Sequence, residues 1–147
     1  MELNFPARLS LANLPTPIQR LDRTSERIGR ELWVKRDDCT GLELSGNKIR
    51  KLEFALAQAR EQGCDVIITT GGIQSNHCRA TAAACARLGL GCELVLASDE
   101  KTEPDGNYLL DDLLGARIRF ISFADYRSRL AQVLEEVKAE LARDGQY

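Results

Sequence analysis

From Lys48 onward the apolar positions of this chain switch repeatedly between helical and strand spacing. Lys48 to Gln62 reads as a helix stopped at Gly63, and Asp65-Val66-Ile67-Ile68-Thr69-Thr70 as a buried strand broken by Gly71-Gly72. A helix is predicted from about Ser75 to Leu88, then a strand at Cys92 to Leu96 behind Gly91. A polar loop from Ser98 to Gly106 leads to a helix at Asn107 to Leu114, and Gly115 precedes a strand at Ala116 to Ser122. The last helix starts near Ala124 and ends at Gly145. Along it Tyr126, Leu130, Val133, Leu134, Val137 and Leu141 form one stripe at helical spacing. Short strands alternating with helices call for a parallel sheet covered by helices on both faces, which is a three-layer α/β domain.

Residues 1–47 follow no such alternation. Pro15 and Pro17 hold Leu14 and Thr16 extended. Leu21 to Ile28 fits a short helix with Gly29 just past its end, Glu31 to Lys35 a strand, and Arg36 to Gly41 a polar loop. This stretch has no obvious sheet of its own to join. At the other end the chain stops at Tyr147, after a helix C-cap, where the alternation calls for another strand. The expectation is therefore the N-terminal portion of a larger protein. Residues 1–47 would be an arm belonging to a larger, mostly absent domain, and 48–147 a small α/β domain.

Composition narrows the function. With 147 residues, 44% apolar, 29% charged and a net charge of −2, the chain suits a soluble globular domain with its own core. No clustered basic face favours nucleic acid, and no apolar run has the length of a membrane span. Met1-Glu2-Leu3-Asn4-Phe5-Pro6 lacks the features of a signal peptide. The five cysteines, Cys39, Cys64, Cys78, Cys85 and Cys92, are odd in number and contain no CxxC pair. They argue against a disulfide framework and for a reducing, cytoplasmic setting, with most of them acting as small buried residues. His77 is the only histidine, and the cysteines lack ligand spacing, so no metal site is expected.

Two glycine-bearing segments carry candidate chemistry. In Ser45-Gly46-Asn47-Lys48-Ile49-Arg50-Lys51-Leu52-Glu53 a lysine stands beside a flexible turn. A lysine amine attacks a carbonyl only when neutral, and nearby cations such as Arg50 and Lys51 favour that form. Lys48 and Lys51 lie three apart on one helix face, so one could hold a carbonyl while the other meets a phosphate. The same segment equally fits a helix N-terminus with solvated lysines. In Gly71-Gly72-Ile73-Gln74-Ser75-Asn76-His77 a strand gives way to a helix whose free N–H groups attract an anion. An amino-acid carboxylate suits that place, and so does plain N-capping by Ser75. His77 fits a general acid or base as well as it fits a hydrogen-bonded helix-start residue. Glu53, Asp37 and Asp38 read as structural or solvated. The chain has no GxGxxG and no GK[ST].

These two segments, with Lys35-Arg36-Asp37-Asp38, Leu14-Pro15-Thr16-Pro17 and Asp105-Gly106-Asn107, closely resemble the family of D-cysteine desulfhydrase and 1-aminocyclopropane-1-carboxylate deaminase. These are pyridoxal-phosphate enzymes of the tryptophan-synthase-β-like fold. The resemblance implies that Lys48 is the Schiff-base lysine, with Asn47 beside it, and that Lys51 lies near the cofactor phosphate. It places Asn76 beside the pyridine ring and its 3′-oxygen, and Ser75 near the substrate's reacting carbon and carboxylate. Gln74 and His77 complete the substrate loop, and His77 resembles the desulfhydrase branch. Family members are considerably longer, so the resemblance gives this chain only part of the active site.

The implied reaction is β-elimination of D-cysteine to pyruvate, hydrogen sulfide and ammonia. Deamination of 1-aminocyclopropane-1-carboxylate and sulfo-lysis of cysteate are the alternatives within the family, and a non-catalytic folding or interaction module is the alternative outside it. The implied partners are a small amino-acid substrate and, at full length, a second copy in a homodimer.

Overall fold

A computed structural model describes residues 5–41, 45–100 and 103–147. The first four residues, part of the stretch read as lacking a signal peptide, and residues 101–102 of the predicted polar loop lie outside them. Strand β3 (Val66–Gly72), strand β4 (Gly91–Ala97) and strand β5 (Arg117–Ile121) form a parallel sheet in that order. Val66 pairs with Gly91 and Gly72 with Ala97; Glu93 pairs with Arg117 and Ala97 with Ile121.

Alternation along the strands assigns side chains to the two faces. On one face Cys92, Leu94 and Leu96 of β4 meet Cys78, Ala82 and Cys85 of helix α3 (Asn76–Leu88). The opposite side of α3 offers Ala80, Ala83 and Ala84 to Ile49, Leu52 and Leu56 of helix α2 (Lys48–Glu61). Alanines on both sides let this central helix approach its neighbours closely, and every residue from Cys78 to Cys85 is buried. On the other face Val133, Val137 and Leu141 of helix α6 (Leu130–Arg143) cover Val66 and Val95. Glu93, also on that face, is buried beside Arg117 at 3.0 Å. Arg119 reaches from the sheet to Glu140 on α6 at 2.6 Å. Helix α4 (Gly106–Leu113) packs beside α3. The three-layer α/β architecture is the one expected.

Three local features depart from the sequence reading. Gly71 and Gly72 do not break β3; they are its last two residues. Gly71 is needed for space, since a Cβ there would lie 2.7 Å from Ser75 Oγ and 2.9 Å from Cys78 Sγ. The final apolar stripe belongs to two helices, α5 (Phe123–Ser128) and α6, separated at Arg129 with φ −138° and ψ 18°. No glycine or proline marks that change of direction, and the buried positions, Val133, Val137 and Leu141, all fall in the second helix. The arm also has a ribbon of its own. Strand β1 (Ile18–Arg20) runs antiparallel to strand β2 (Trp33–Lys35) around helix α1 (Asp22–Ile28), which closes on Gly29.

The arm is tied to α2 by polar contacts as well as by Leu11, which joins the α2–α3 core. Glu53 is 2% exposed, and its Oε1 accepts from the backbone N–H groups of Leu11 (2.8 Å) and Ala12 (3.0 Å). Arg50 donates to both oxygens of Asp37, at 2.8 and 2.6 Å, and to Thr16 Oγ1 at 3.0 Å. Asp37 and Glu53 are thus structural, in line with the sequence reading. Among the described residues no helix is long and apolar enough to cross a membrane.

Candidate functional site

Lys48 is the first residue of α2, and Asn76 is the first residue of α3. Because α2 and α3 pack side by side, their N-termini open on one cleft of about 270 Å³, lined by Asp38, Ser45, Gly46, Asn47, Lys48, Asn76 and Arg79. Gly46 turns the chain into α2 with φ +100°, and among the described residues nothing lies within 4 Å of where its Cβ would stand, which leaves space beside Lys48. Arg79 comes from the second turn of α3 and donates to the Ser45 carbonyl at 2.9 Å, fixing the loop ahead of Lys48 to that helix.

The other expected site residues are distributed around this cleft. Ser75 is the N-cap of α3, accepts from Cys78 N–H at 3.2 Å and hydrogen-bonds the Cys78 thiol through its hydroxyl. Lys51 and His77 line a second hollow of about 250 Å³ with Leu52, Thr69 and Thr81. His77 Nε2 lies 3.2 Å from Thr69 Oγ1, while Nδ1 is buried without a partner. Burial holds the His77 pKa below its usual value, and the charges of Lys51 and Lys48 lower it further. At neutral pH His77 is therefore the neutral imidazole. Lys48 and Lys51 line different hollows, although helical spacing puts them on one face. Arg50, considered above as a neighbouring cation, is engaged by Asp37.

Gln74 turns away from the cleft to the N-terminus of α4. Its Nε2 donates to Asp105 Oδ1 at 2.7 Å, and its Oε1 accepts from Asn107 N–H at 2.8 Å. Asn107 Nδ2 in turn donates to the Gln74 carbonyl and to Asn76 Oδ1, both at 2.9 Å. The sequence reading noted Asp105-Gly106-Asn107 only as part of a resemblance. The signal that would have placed it is the strand-helix-strand alternation itself, which puts the segment leading into α4 beside the one leading into α3.

Taken as a donor set, the cleft holds one amine that can attach to a carbonyl, two side-chain amides, a buried guanidinium and the space at Gly46. Those groups fit pyridoxal phosphate along this wall: an aldehyde for Lys48 and oxygen acceptors for the amides.

Comparison with known proteins agrees. The family profile described as pyridoxal-phosphate dependent enzyme matches residues 9–147. The bifunctional D-cysteine desulfhydrase/1-aminocyclopropane-1-carboxylate deaminase of Arabidopsis thaliana, a mitochondrial protein, is 49% identical over 142 residues, 92% of this chain and 35% of the relative. The D-cysteine desulfhydrase of Yersinia enterocolitica is 44% identical over 142 residues, 92% of this chain and 43% of the relative. The crystal structure of an ACC deaminase homologue superposes with a TM-score of 0.85 at 43% identity, over 96% of this chain and 42% of that one. The chain thus spans less than half the length of these relatives.

Proposed function

The chain belongs to the pyridoxal-phosphate dependent enzyme family, and from that premise we propose that it supplies the lysine-bearing wall of a lyase that eliminates sulfide from D-cysteine. The observation that carries this reading is the meeting of Lys48 and Asn76 across one cleft. When bound, pyridoxal phosphate supplies a carbonyl for an amine and a sink for the electrons released at the substrate's α-carbon. Lys48 Nζ is the amine that attaches to it and, once free, the base that takes the α-proton. Asn76 and Asn47 orient the ring from the side of the two helix ends. Ser75 Oγ and the first N–H groups of α3 receive the substrate carboxylate, where the helix dipole favours negative charge. His77, neutral and set behind Asn76 toward Thr69, shapes the adjoining hollow with Lys51.

Borohydride reduction of the pyridoxal-phosphate-loaded, full-length gene product, followed by peptide mapping, is expected to place the pyridoxyl group on Lys48. Label on Lys51 or Lys35 instead overturns the assignment. A second reaction, opening of 1-aminocyclopropane-1-carboxylate, is supported by the double activity in the name of the Arabidopsis relative. Elimination from D-cysteine begins with loss of an α-proton, and the cyclopropane substrate has none. Deuterium at the α-carbon should therefore slow sulfide release. Faster turnover of the cyclopropane than of D-cysteine would make deamination the better reading.

A further inference from the structure

We propose that Asn107 is a positioning residue that fixes the amide of Asn76 with its NH₂ group toward the cleft. The inference rests on the reading of the Lys48–Asn76 cleft as the cofactor site. It follows from a chain of hydrogen bonds in which each orientation is dictated by a backbone group.

The chain starts at two groups that cannot exchange roles. The Asn107 backbone N–H can only donate, and it points at the Gln74 side chain at 2.8 Å, so the atom it meets must be Oε1. Gln74 then presents Nε2 to the Asp105 carbonyl (3.2 Å) and to Asp105 Oδ1 (2.7 Å), both acceptors. The Gln74 backbone carbonyl can only accept, and at 2.9 Å it faces the side chain of Asn107, so that atom must be Nδ2. The same Nδ2 has a second hydrogen, and it points at the Asn76 side chain at 2.9 Å. Asn76 must therefore turn its oxygen toward Asn107. Its own Nδ2, with two hydrogens, is left to the cleft that Asn76 lines with Lys48.

The arrangement is built rather than incidental. Gly106 has φ +50°, and a Cβ there would stand 2.5 Å from Gln74 Oε1, so the Gln74 side chain occupies space that only glycine leaves open. The Asn107 backbone and side chain both converge on the segment leading into α3. The consequence for recognition is specific. At the position of Asn76 the cleft offers a donor and no acceptor, so the ligand atom there must be an oxygen or nitrogen that accepts. A deprotonated ring oxygen meets that condition best, because it accepts more strongly than a protonated one.

A double-mutant cycle on the full-length gene product tests this. Asn107→Asp places a group that only accepts against two oxygens, the Gln74 carbonyl and Asn76 Oδ1. Asn76 is then expected to rotate its NH₂ group toward position 107 and its oxygen toward the cleft. Pyridoxal-phosphate affinity, measured by absorbance titration, should fall roughly tenfold with Asn76 present, as expected for an oriented donor replaced by an acceptor. In an Asn76→Ala background the same substitution should change affinity by less than about twofold. The pH midpoint of the visible band should move in the first background only. Asn107→Ser, which keeps the backbone bond to Gln74 and loses the amide, serves if the aspartate variant does not fold; it should weaken binding in the same background-dependent way. Equal losses in both backgrounds would show that Asn107 acts only by holding α4, and no loss in either would remove it from the site; either result overturns the inference. Label on Lys48 in the parent together with inert Asn107 variants sinks this inference alone, whereas absence of label on Lys48 sinks the functional reading with it.

Discussion

Asp111 is the most exposing test of the packing around the site. Its side chain is 0% exposed on α4, and both carboxylate oxygens lack a hydrogen-bond partner among the described residues. The titratable groups facing it are the Cys78 thiol and Arg79 on α3 and the Cys92 thiol on β4. Burial raises its pKa from 3.8 to about 7, and the charge of Arg79 offsets only part of that rise. Below the unfolded value the carboxyl is protonated in both states. As pH climbs above it, the unfolded chain releases its proton while the folded chain keeps it up to about 7. Stability is thus full at low pH and is lost as pH rises through that window. At about 1.4 kcal/mol per pH unit, the loss amounts to about 4 kcal/mol. Asp111→Asn has nearly the same shape and cannot ionise. Urea unfolding of parent and variant at pH 4.5, 6 and 8 should show the difference in stability moving toward the variant by several kcal/mol across the series, because every other group titrates alike in both proteins. Parallel pH profiles would refute the reasoning and mean that Asp111 is ionised in the folded chain at neutral pH.

Two further substitutions probe how the site is held. Glu53→Gln leaves the shape but weakens a carboxylate that accepts from Leu11 and Ala12 N–H, and should cost about 1–3 kcal/mol in unfolding experiments while exposing the arm to limited proteolysis; an arm as resistant as the parent's would contradict the role given to Glu53. Gly71→Ala should cost about 1–3 kcal/mol and disturb the start of α3, because the added methyl meets Ser75 and Cys78 at 2.7–2.9 Å; an unchanged melting temperature would show that α3 shifts freely.

Most of the scaffold was legible because its signals are local. The run Val66-Ile67-Ile68 and the glycines after every α-helix but α5 mark element ends through burial and backbone conformation, and these survive any tertiary context. The break at Arg129 was not legible, since the stripe from Tyr126 to Leu141 is continuous in sequence and only the geometry of the sheet decides where the chain turns. β1 was missed because its three residues are all exposed and carry no alternation. At the site, the juxtaposition of Lys48 and Asn76 follows from two helix starts in an α/β layer. The separation of Lys51 from Lys48 does not, because adjacency on a helix face says nothing about which neighbour fills the space between two side chains. The role of Asn107 depends on hydrogen-bond direction across residues more than thirty positions apart, which no periodicity encodes.

The charge balance of the cleft follows from the same contacts. Two of the carboxylates near it are already engaged: Asp37 by Arg50 and Asp38 by Arg36, whose Nε lies 2.8 and 3.1 Å from its two oxygens. Both have pKa values held below the usual carboxylate range by those guanidinium groups, so they stay ionised and their charge is matched locally. The cleft itself is lined by the amine of Lys48 and by the guanidinium of Arg79, which holds the Ser45 carbonyl. Asp111 lies within electrostatic reach of Arg79, and burial keeps it neutral up to about pH 7. In its neutral form Asp111 adds no negative charge beside Arg79, and the N-terminus of α3 brings its positive dipole end to the cleft. Ionisation of Asp111 above that pH places a negative charge next to the helix that carries Asn76 and Arg79. The amine of Lys48 and the start of α3 favour an anionic, acceptor-bearing ligand, and that is the chemistry the orientation of Asn76 also demands.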